Sequence, residues 1–228
     1  MRIGNSRLAA ISVVALLFLS ATYLFGWSQI FVVKEVSITG APTTESTKAV
    51  TNSIAIAPGV KMARVETRSI ARRLDSFTWI ESVDISRNWL NQKVSIEITP
   101  RKPIALFNPT TAPGTSIDAQ GKVFTLPGGA RNSLPKVEAN SAKSGIAAIA
   151  LFTELPEEFR SEISLMSVRR SGAFSLSYRY KLRPIGISWG DGEDTALKVQ
   201  VVQALLALPE NSKIKSIDVS APHAPIVR

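Results

Sequence analysis

Residues 80–99 read IESVDISRNWLNQKVSIEIT and contain two runs in which apolar and polar side chains alternate. The second run, Lys93–Thr99, alternates strictly and has three apolar residues on one face: Val94, Ile96 and Ile98. This period of two is typical of a β-strand with one buried face. Trp89–Gln92 can turn the chain between the runs. Ile80–Arg87 and Lys93–Thr99 are therefore predicted to form a hairpin.

The residues before this hairpin add one strand and two helices. Val33–Thr39 alternates as a short strand. Glu45–Ile54 is predicted as a helix behind two threonines that can cap it, and Glu66–Leu74 as a second helix. The resulting order, βααββ, resembles that of a POTRA domain, in which two helices cover one face of a small sheet. Residues 31–100 are predicted to form this domain.

The longest apolar stretch lies further upstream, at Leu8–Val33, and contains no Asp, Glu, Lys or Arg. A helix of about 20 apolar residues is long enough to cross a bilayer. Residues 8–30 are therefore predicted to form a single transmembrane helix, with Tyr23 and Trp27 at the headgroup level. The alternative is a cleaved signal peptide, but its apolar core would be shorter, about 7–15 residues.

Basic residues indicate the orientation of this helix. Arg2 and Arg7 precede it, and positive charge favours the cytoplasmic side. Residues 1–7 are predicted to be a cytoplasmic tail. The protein is therefore predicted to be a single-pass, type II protein of the cell membrane, with its C-terminal domains outside the cytoplasm.

The remaining residues, 101–228, are predicted to form a mixed β-rich domain with helices, so the fold class is α+β. Strands are predicted at four places: Ser161–Arg169, Phe174–Lys181, Ile185–Trp189 and Lys215–Ser220. Helices are predicted at Gly145–Leu155 and from a start at Asp191–Asp194 to about Leu208. The second helix is predicted to face the core with four residues: Leu197, Val201, Leu205 and Leu208.

Composition narrows the possible functions of the chain. It has 228 residues, no cysteine and a net charge of +9. Disulfides, thiol catalysis and cysteine-ligated metals are excluded. With the domains predicted outside the cytoplasm, no nucleic-acid partner is expected. The basic charge favours an anionic membrane surface or an acidic envelope polymer, or it is dispersed solvating charge.

One motif suggests an enzyme. Gly186–Gly190 fits G-x-S-x-G around Ser188, and His223 is the only histidine. An α/β-hydrolase would follow the serine with an acid such as Asp191, Asp194 or Asp218 and then with the histidine. However, Ser188 lies inside an alternating strand, and the repeated βαβ pattern of a hydrolase is absent. No catalytic residue, small-molecule substrate or cofactor is predicted. The acidic cluster Asp191–Asp194 is interpreted as helix capping, so no metal is expected either.

Four local stretches resemble the FtsQ/DivIB family of bacterial cell-division proteins. They are FVVKEVSITG at Phe31–Gly40, the stretch Ala71–Phe107, IDAQGKVF at Ile117–Phe124, and WGDGEDTALKVQVVQALL at Trp189–Leu206 followed by IDVSAPHAPIVR. The chain departs from the family at Trp89-Leu90, where many members have Trp-Pro, and at Thr99-Pro100, where Glu-Arg is common.

The resemblance implies a non-enzymatic scaffold of the divisome, located at midcell. It implies partners of the FtsB and FtsL type and, through them, influence on septal peptidoglycan synthesis by FtsW and FtsI. The alternative is another membrane-anchored POTRA adaptor that serves protein transport or envelope assembly. The second domain distinguishes the two, because POTRA domains of transport proteins usually occur in tandem or precede a barrel.

The resemblance also implies a partner-binding sheet edge near the end of the chain, at Lys215–Ser220 and on to about Arg228. A partner strand can add to such an edge. The predicted contact residues are Ser216, Ile217, Asp218, Val219, Ser220 and Pro222. Alternatively, this is a plain core strand. The Ser216→Pro change is expected to weaken pairing selectively. Val33–Thr39 and Lys93–Thr99 are secondary candidate edges.

Overall fold

A computed structural model describes residues 3–26 and 31–228. The first helix, α1, spans Ile3–Gly26. Within these described ranges, no helix meets the length and hydropathy that a membrane crossing requires. The transmembrane helix over residues 8–30 therefore stays a prediction. Residues 27–30, with Trp27, and Arg2 of the predicted tail lie outside the described residues.

The chain forms two compact units, one that ends at Pro100 and one that spans Arg101–Arg228. After α1, the first unit contains β1 (Glu35–Thr39), α2 (Thr44–Ile54), a 3₁₀ turn (Met62–Arg64), α3 (Thr67–Leu74), β2 (Ile80–Asn88) and β3 (Lys93–Pro100). Its sheet has the order β1-β3-β2, with β1 parallel and β2 antiparallel to β3. The predicted βααββ order and the hairpin are confirmed.

The alternation in the second half of the hairpin predicts the core of this unit correctly. Val94, Ile96 and Ile98 are at most 3% exposed. The helices cover them with buried residues of α2 and α3: Val50, Ile54, Ile70 and Leu74. Arg73 of α3 donates to the carbonyl oxygen of Ile54 at 3.0 Å, which satisfies a free carbonyl at the end of α2.

The second unit contains a nine-stranded sheet and three helices. Its strands are β4 (Ala105–Phe107), β5 (Thr115–Ile117), β6 (Val123–Thr125), β7 (Lys136–Glu138), β8 (Ile163–Val168), β9 (Phe174–Tyr180), β10 (Arg183–Gly190), β11 (Ser216–Asp218) and β12 (Ile226–Val227). The helices are α4 (Ala142–Glu154), α5 (Glu157–Arg160) and α6 (Thr195–Ala207), and a 3₁₀ turn (Pro209–Asn211) follows α6. The sheet order is β12-β11-β10-β9-β8-β7-β4-β5-β6.

Three aromatic side chains pack together in the largely aliphatic core of the second unit. The Phe159 ring lies 4.8 Å from that of Tyr178 and 5.9 Å from that of Trp189, centroid to centroid. Phe159 and Trp189 are fully buried. Burial of such large rings contributes to the stability of a chain whose sequence contains no cysteine.

The predicted inner face of α6 is displaced. The buried residues are Lys198, Val199, Val202 and Leu206, whereas the predicted Leu208 is 42% exposed. Val201 and Leu205 pack only at the margin of the core. The predicted face contained apolar residues only, whereas Lys198 lies on the buried face and pairs there with the Asp191 carboxylate at 2.8 Å.

The hairpin between β9 and β10 turns through two residues that are unusual for this position. Lys181 and Leu182 have φ angles of +48° and +66°, and Leu182 is 92% exposed. Both lie in the left-handed region, which favours Asn and Gly in two-residue hairpin turns.

Replacing Lys181 and Leu182 together by Asn-Gly should therefore stabilise the protein by about 1–2 kcal/mol, because the strain at both positions is relieved. Urea unfolding of the full chain measures the change, with Lys181→Asn alone as the smaller step. An unchanged or lower midpoint would contradict the assignment of strain to this turn.

Candidate partner-binding edge

The free edge at the end of the second sheet is β12, which lies in the last part of the predicted edge region, Lys215 to about Arg228. β11 pairs with β10 on one side and with β12 on the other. Ile226 and Val227 of β12 are 51% and 37% exposed. The predicted strand at Lys215–Ser220 is therefore the penultimate strand. The sequence did not predict β12 as a strand, because it is only two residues long and its sequence pattern is limited to the Ile-Val pair after Pro225.

Hydrogen bonding between β11 and β12 indicates which backbone groups face outward. Ser216 and Arg228 exchange two backbone hydrogen bonds, each 3.0 Å long. In an antiparallel pair such bonds alternate, so Val227, which lies opposite Ile217, belongs to a non-hydrogen-bonded pair. The N–H and C=O of Val227 then point away from β11. A strand added outside β12 would pair with them.

The predicted contact residues form the support of this edge. Ile217 and Val219 are 1% and 0% exposed and belong to the core, as their alternation predicts. Ser216 uses its N–H within the sheet, where it donates to Arg228. The Ser216→Pro change would therefore break the β11–β12 pairing, and it is not the selective test that the sequence suggested. Pro222 lies in the half-exposed connection to β12.

Asp218 and Ser220 close the end of β11. The Asp218 Oδ1 atom accepts hydrogen bonds from the Ser220 hydroxyl at 2.7 Å and from the Ser220 N–H at 3.0 Å. These two bonds, the hydroxyl bond first, lower the pKa of the Asp218 carboxyl below its ordinary value. The carboxylate is thereby held in its charged form beside the edge strand.

The G-x-S-x-G motif has a structural explanation. Ser188 lies within β10, opposite Asp218 of β11, rather than on a strand-to-helix turn. Gly190 has φ +80°, and a Cβ atom there would lie 2.9 Å from the Ser220 Cβ. The second glycine therefore allows the close approach of the two strand ends. His223 is exposed, and among the described residues no hydrogen bond joins it to Ser188. The geometry of a nucleophile elbow is not formed.

The acidic run before α6 holds a buried lysine. Lys198 is 1% exposed, and its Nζ donates to the Asp191 carboxylate at 2.8 Å and to the Asp191 carbonyl oxygen at 3.2 Å. The predicted capping role fits less well, because Asp194 at the N-cap makes no side-chain cap bond. Within the described part of the chain, no group of three or more His, Asp or Glu residues could hold a metal ion.

This ion pair predicts a specific acid sensitivity. The side-chain hydrogen bond from Lys198 lowers the pKa of the Asp191 carboxyl. Because the folded-state pKa is lowered, the stabilisation is fully present above the ordinary carboxyl pKa of about 3.9 and is lost as the pH falls through the lowered value. Wild type should lose more stability than Lys198→Met between pH 5 and about pH 2, as denaturant unfolding at each pH will measure.

A second substitution distinguishes the contribution of Asp191 from that of Lys198. Asp191→Asn leaves the buried ammonium of Lys198 without its counter-charge, so it should destabilise the protein at pH 7 more than Lys198→Met does. The reverse order would show that the buried amine is satisfied in another way.

The first unit also has sheet edges, at β1 and β2. The secondary candidate Val33–Thr39 contains β1 and remains a possible pairing strand. The other secondary candidate, Lys93–Thr99, is wrong, because β3 is the central strand and is hydrogen-bonded on both sides.

Comparison with known proteins identifies both units. Residues 31–101 match the family profile described as POTRA domain, FtsQ-type, and residues 112–220 match that described as Cell division protein FtsQ/DivIB, C-terminal. Cell division protein FtsQ of Streptomyces griseus is 30% identical over 186 residues, which cover 76% of this chain and 86% of that relative. The protein of the same name in Streptomyces venezuelae is 28% identical, covering 75% of this chain and 65% of that relative. With two matched domains in the family's order, the chain belongs to the FtsQ/DivIB family of cell division proteins.

Proposed function

We propose that this protein is a bitopic, non-enzymatic scaffold of the bacterial divisome. Its second unit binds partners of the FtsB and FtsL type, and through them it influences septal peptidoglycan synthesis by FtsW and FtsI. The observation that carries this proposal is the exposed β12 edge, because Val227 directs a backbone donor and acceptor outward beside the Ile226 side chain.

The proposed partner contact combines backbone pairing with side-chain specificity. A partner strand would hydrogen-bond to Val227, and its alternate side chains would meet the exposed Ile226 and Val227. The core residues Ile217 and Val219 anchor β11 beside β12. The contact residues predicted from the sequence, Ser216–Ser220 and Pro222, thus support β12, which is the strand proposed to contact the partner.

Membrane anchoring through residues 8–30 is part of the proposal. It is supported by the uncharged run Leu8–Val33 and by the two arginines before it. The exposed side chains of α1 include Leu17, Phe18 and Leu19, which a lipid environment would cover. The N-terminus is proposed to be cytoplasmic, and residues 31–228 are proposed to be extracytoplasmic.

The alternative adaptor for protein transport or envelope assembly is less well supported. The POTRA domain fits both functions. However, the match of residues 112–220 is to the C-terminal domain of a cell division family, so the observation favours the divisome role.

Depletion of the protein in its host, with a fluorescent copy present, tests the proposal. We expect filaments or unseparated chains of cells, and fluorescence at midcell. Co-purification of FtsB- and FtsL-type proteins with the tagged chain tests the partners. Normal division together with uniform envelope fluorescence would overturn the divisome scaffold and favour the adaptor.

A further inference from the structure

The turn between β2 and β3 presents an exposed leucine beside aromatic and basic side chains. Leu90 is 90% exposed. The adjacent Trp89 packs edge-to-face on Phe31, with ring centroids 6.0 Å apart. The guanidinium carbon of Arg87 lies 5.7 Å from the centre of the Trp89 ring. Trp89 and Leu90 are called the hairpin tip below.

The hairpin tip lies at the end of the first unit where the chain enters from α1. Glu35 at the start of β1 lies opposite Lys93 at the start of β3, and the two strands are parallel. The Lys34 N–H donates to the Gln92 carbonyl oxygen at 2.8 Å, which joins the incoming chain to the turn. Phe31 is therefore both a neighbour of the hairpin tip and a residue of the segment that follows the apolar helix.

Basic residues dominate the surroundings of the hairpin tip. Lys34 and Arg87 are exposed there, and Lys61 bridges to Val32 of the incoming chain. The nearby acid Glu35 is paired with Lys93, Nζ to Oε1, at 2.7 Å. An exposed aliphatic side chain, an amphipathic ring and surrounding cations together suit the interface of an anionic bilayer.

The turn does not require an apolar residue at position 90. The Asn88 side chain closes the turn by accepting the Asn91 N–H at 3.0 Å, and Gln92 takes the left-handed conformation, with φ +57°. Arg87 is fixed separately, because it donates to the carbonyl oxygens of Met62 and Val65. A polar residue would serve the turn equally well at position 90.

We propose that the hairpin tip inserts into the headgroup region of the anionic bilayer in which the N-terminal anchor resides. The inference rests on the membrane anchoring proposed above and extends it. Leu90 and the ring of Trp89 would enter the interface while Lys34 and Arg87 face lipid phosphates. This second attachment would set the orientation of the first unit on the membrane.

The absence of cysteine in the sequence permits a direct test. Leu90→Cys and Leu182→Cys each place a single thiol in a hairpin turn. The two leucines that they replace are 90% and 92% exposed. Each full-length variant is labelled with the environment-sensitive dye NBD and reconstituted into vesicles that contain phosphatidylglycerol. We expect a blue shift, a rise in NBD emission and quenching by spin-labelled lipids at position 90, with none of these at position 182.

Flotation of the same vesicles in high salt separates this inference from the anchoring proposal. If the chain floats but position 90 behaves like position 182, the hairpin-tip proposal is overturned and anchoring stands. If the chain does not float, both are overturned. A signal of equal size in pure phosphatidylcholine would overturn the role of the basic residues.

Discussion

Replacing Gly40 by alanine should strongly destabilise the first unit while the second unit keeps its stability. Gly40 follows β1 with φ +85°, and a Cβ atom there would lie 1.8 Å from the carbonyl oxygen of Ile98. Ile98 belongs to the central strand β3, so its carbonyl cannot withdraw without breaking the sheet. The left-handed conformation costs about 1–2 kcal/mol for a residue with a Cβ, and with the clash the total should be about 3 kcal/mol or more.

Gly59→Ala is the matched control for this substitution. Gly59 has φ +88°, but nothing lies within 4 Å of a Cβ placed there. Its cost should be limited to conformational strain, about 1–2 kcal/mol. Hydrogen exchange on the full chain measures both variants, with the amides of Ile96 reporting on the first unit and those of Ile187 on the second. Equal loss of protection at Ile96 in both variants would contradict the role of the close contact.

The sequence predicts the first unit well because its signals are local and agree with one another. Lys93–Thr99 alternates strictly, and the structure buries all three apolar residues of that run in the centre of the sheet. A strand with one buried face alternates clearly because its buried positions must stay apolar while its exposed positions can vary. The strand order β1-β3-β2, however, depends on parallel pairing over a long sequence separation, which no local pattern encodes.

The second unit shows where such patterns fail. Lys198 stands on the buried stripe of α6 because Asp191, seven residues earlier, supplies a partner for its charge. Hydrophobic periodicity cannot anticipate a buried ion pair. β12 is a two-residue strand defined by its pairing with β11, which no local pattern in its sequence indicates. The predicted edge region, Lys215 to about Arg228, includes β12, but the named contact residues Ser216–Ser220 begin on the neighbouring strand β11.

The exposed edge strand β12 provides the sharpest test of partner binding. The Val227→Pro change removes an N–H that points away from β11, so the β11–β12 pair should persist while a partner strand loses a hydrogen bond and meets the proline ring. We expect the affinity for a purified FtsB–FtsL complex to fall about tenfold or more, which corresponds to about 1.4 kcal/mol. Thermal unfolding of the variant should change little, because edge strands tolerate proline.

Two further substitutions distinguish loss of pairing from loss of structure. Val227→Ala keeps the N–H and should retain most of the affinity, so it isolates the backbone contribution from the side chain. Ile226→Pro removes the N–H of the residue opposite Asp218, on the side that faces β11, and should lower both stability and binding. Titration calorimetry on the full chain in lipid nanodiscs measures all three variants. If Val227→Pro bound the complex as tightly as wild type, strand addition at β12 would be ruled out, because a paired partner strand would lose the Val227 N–H and meet the proline ring.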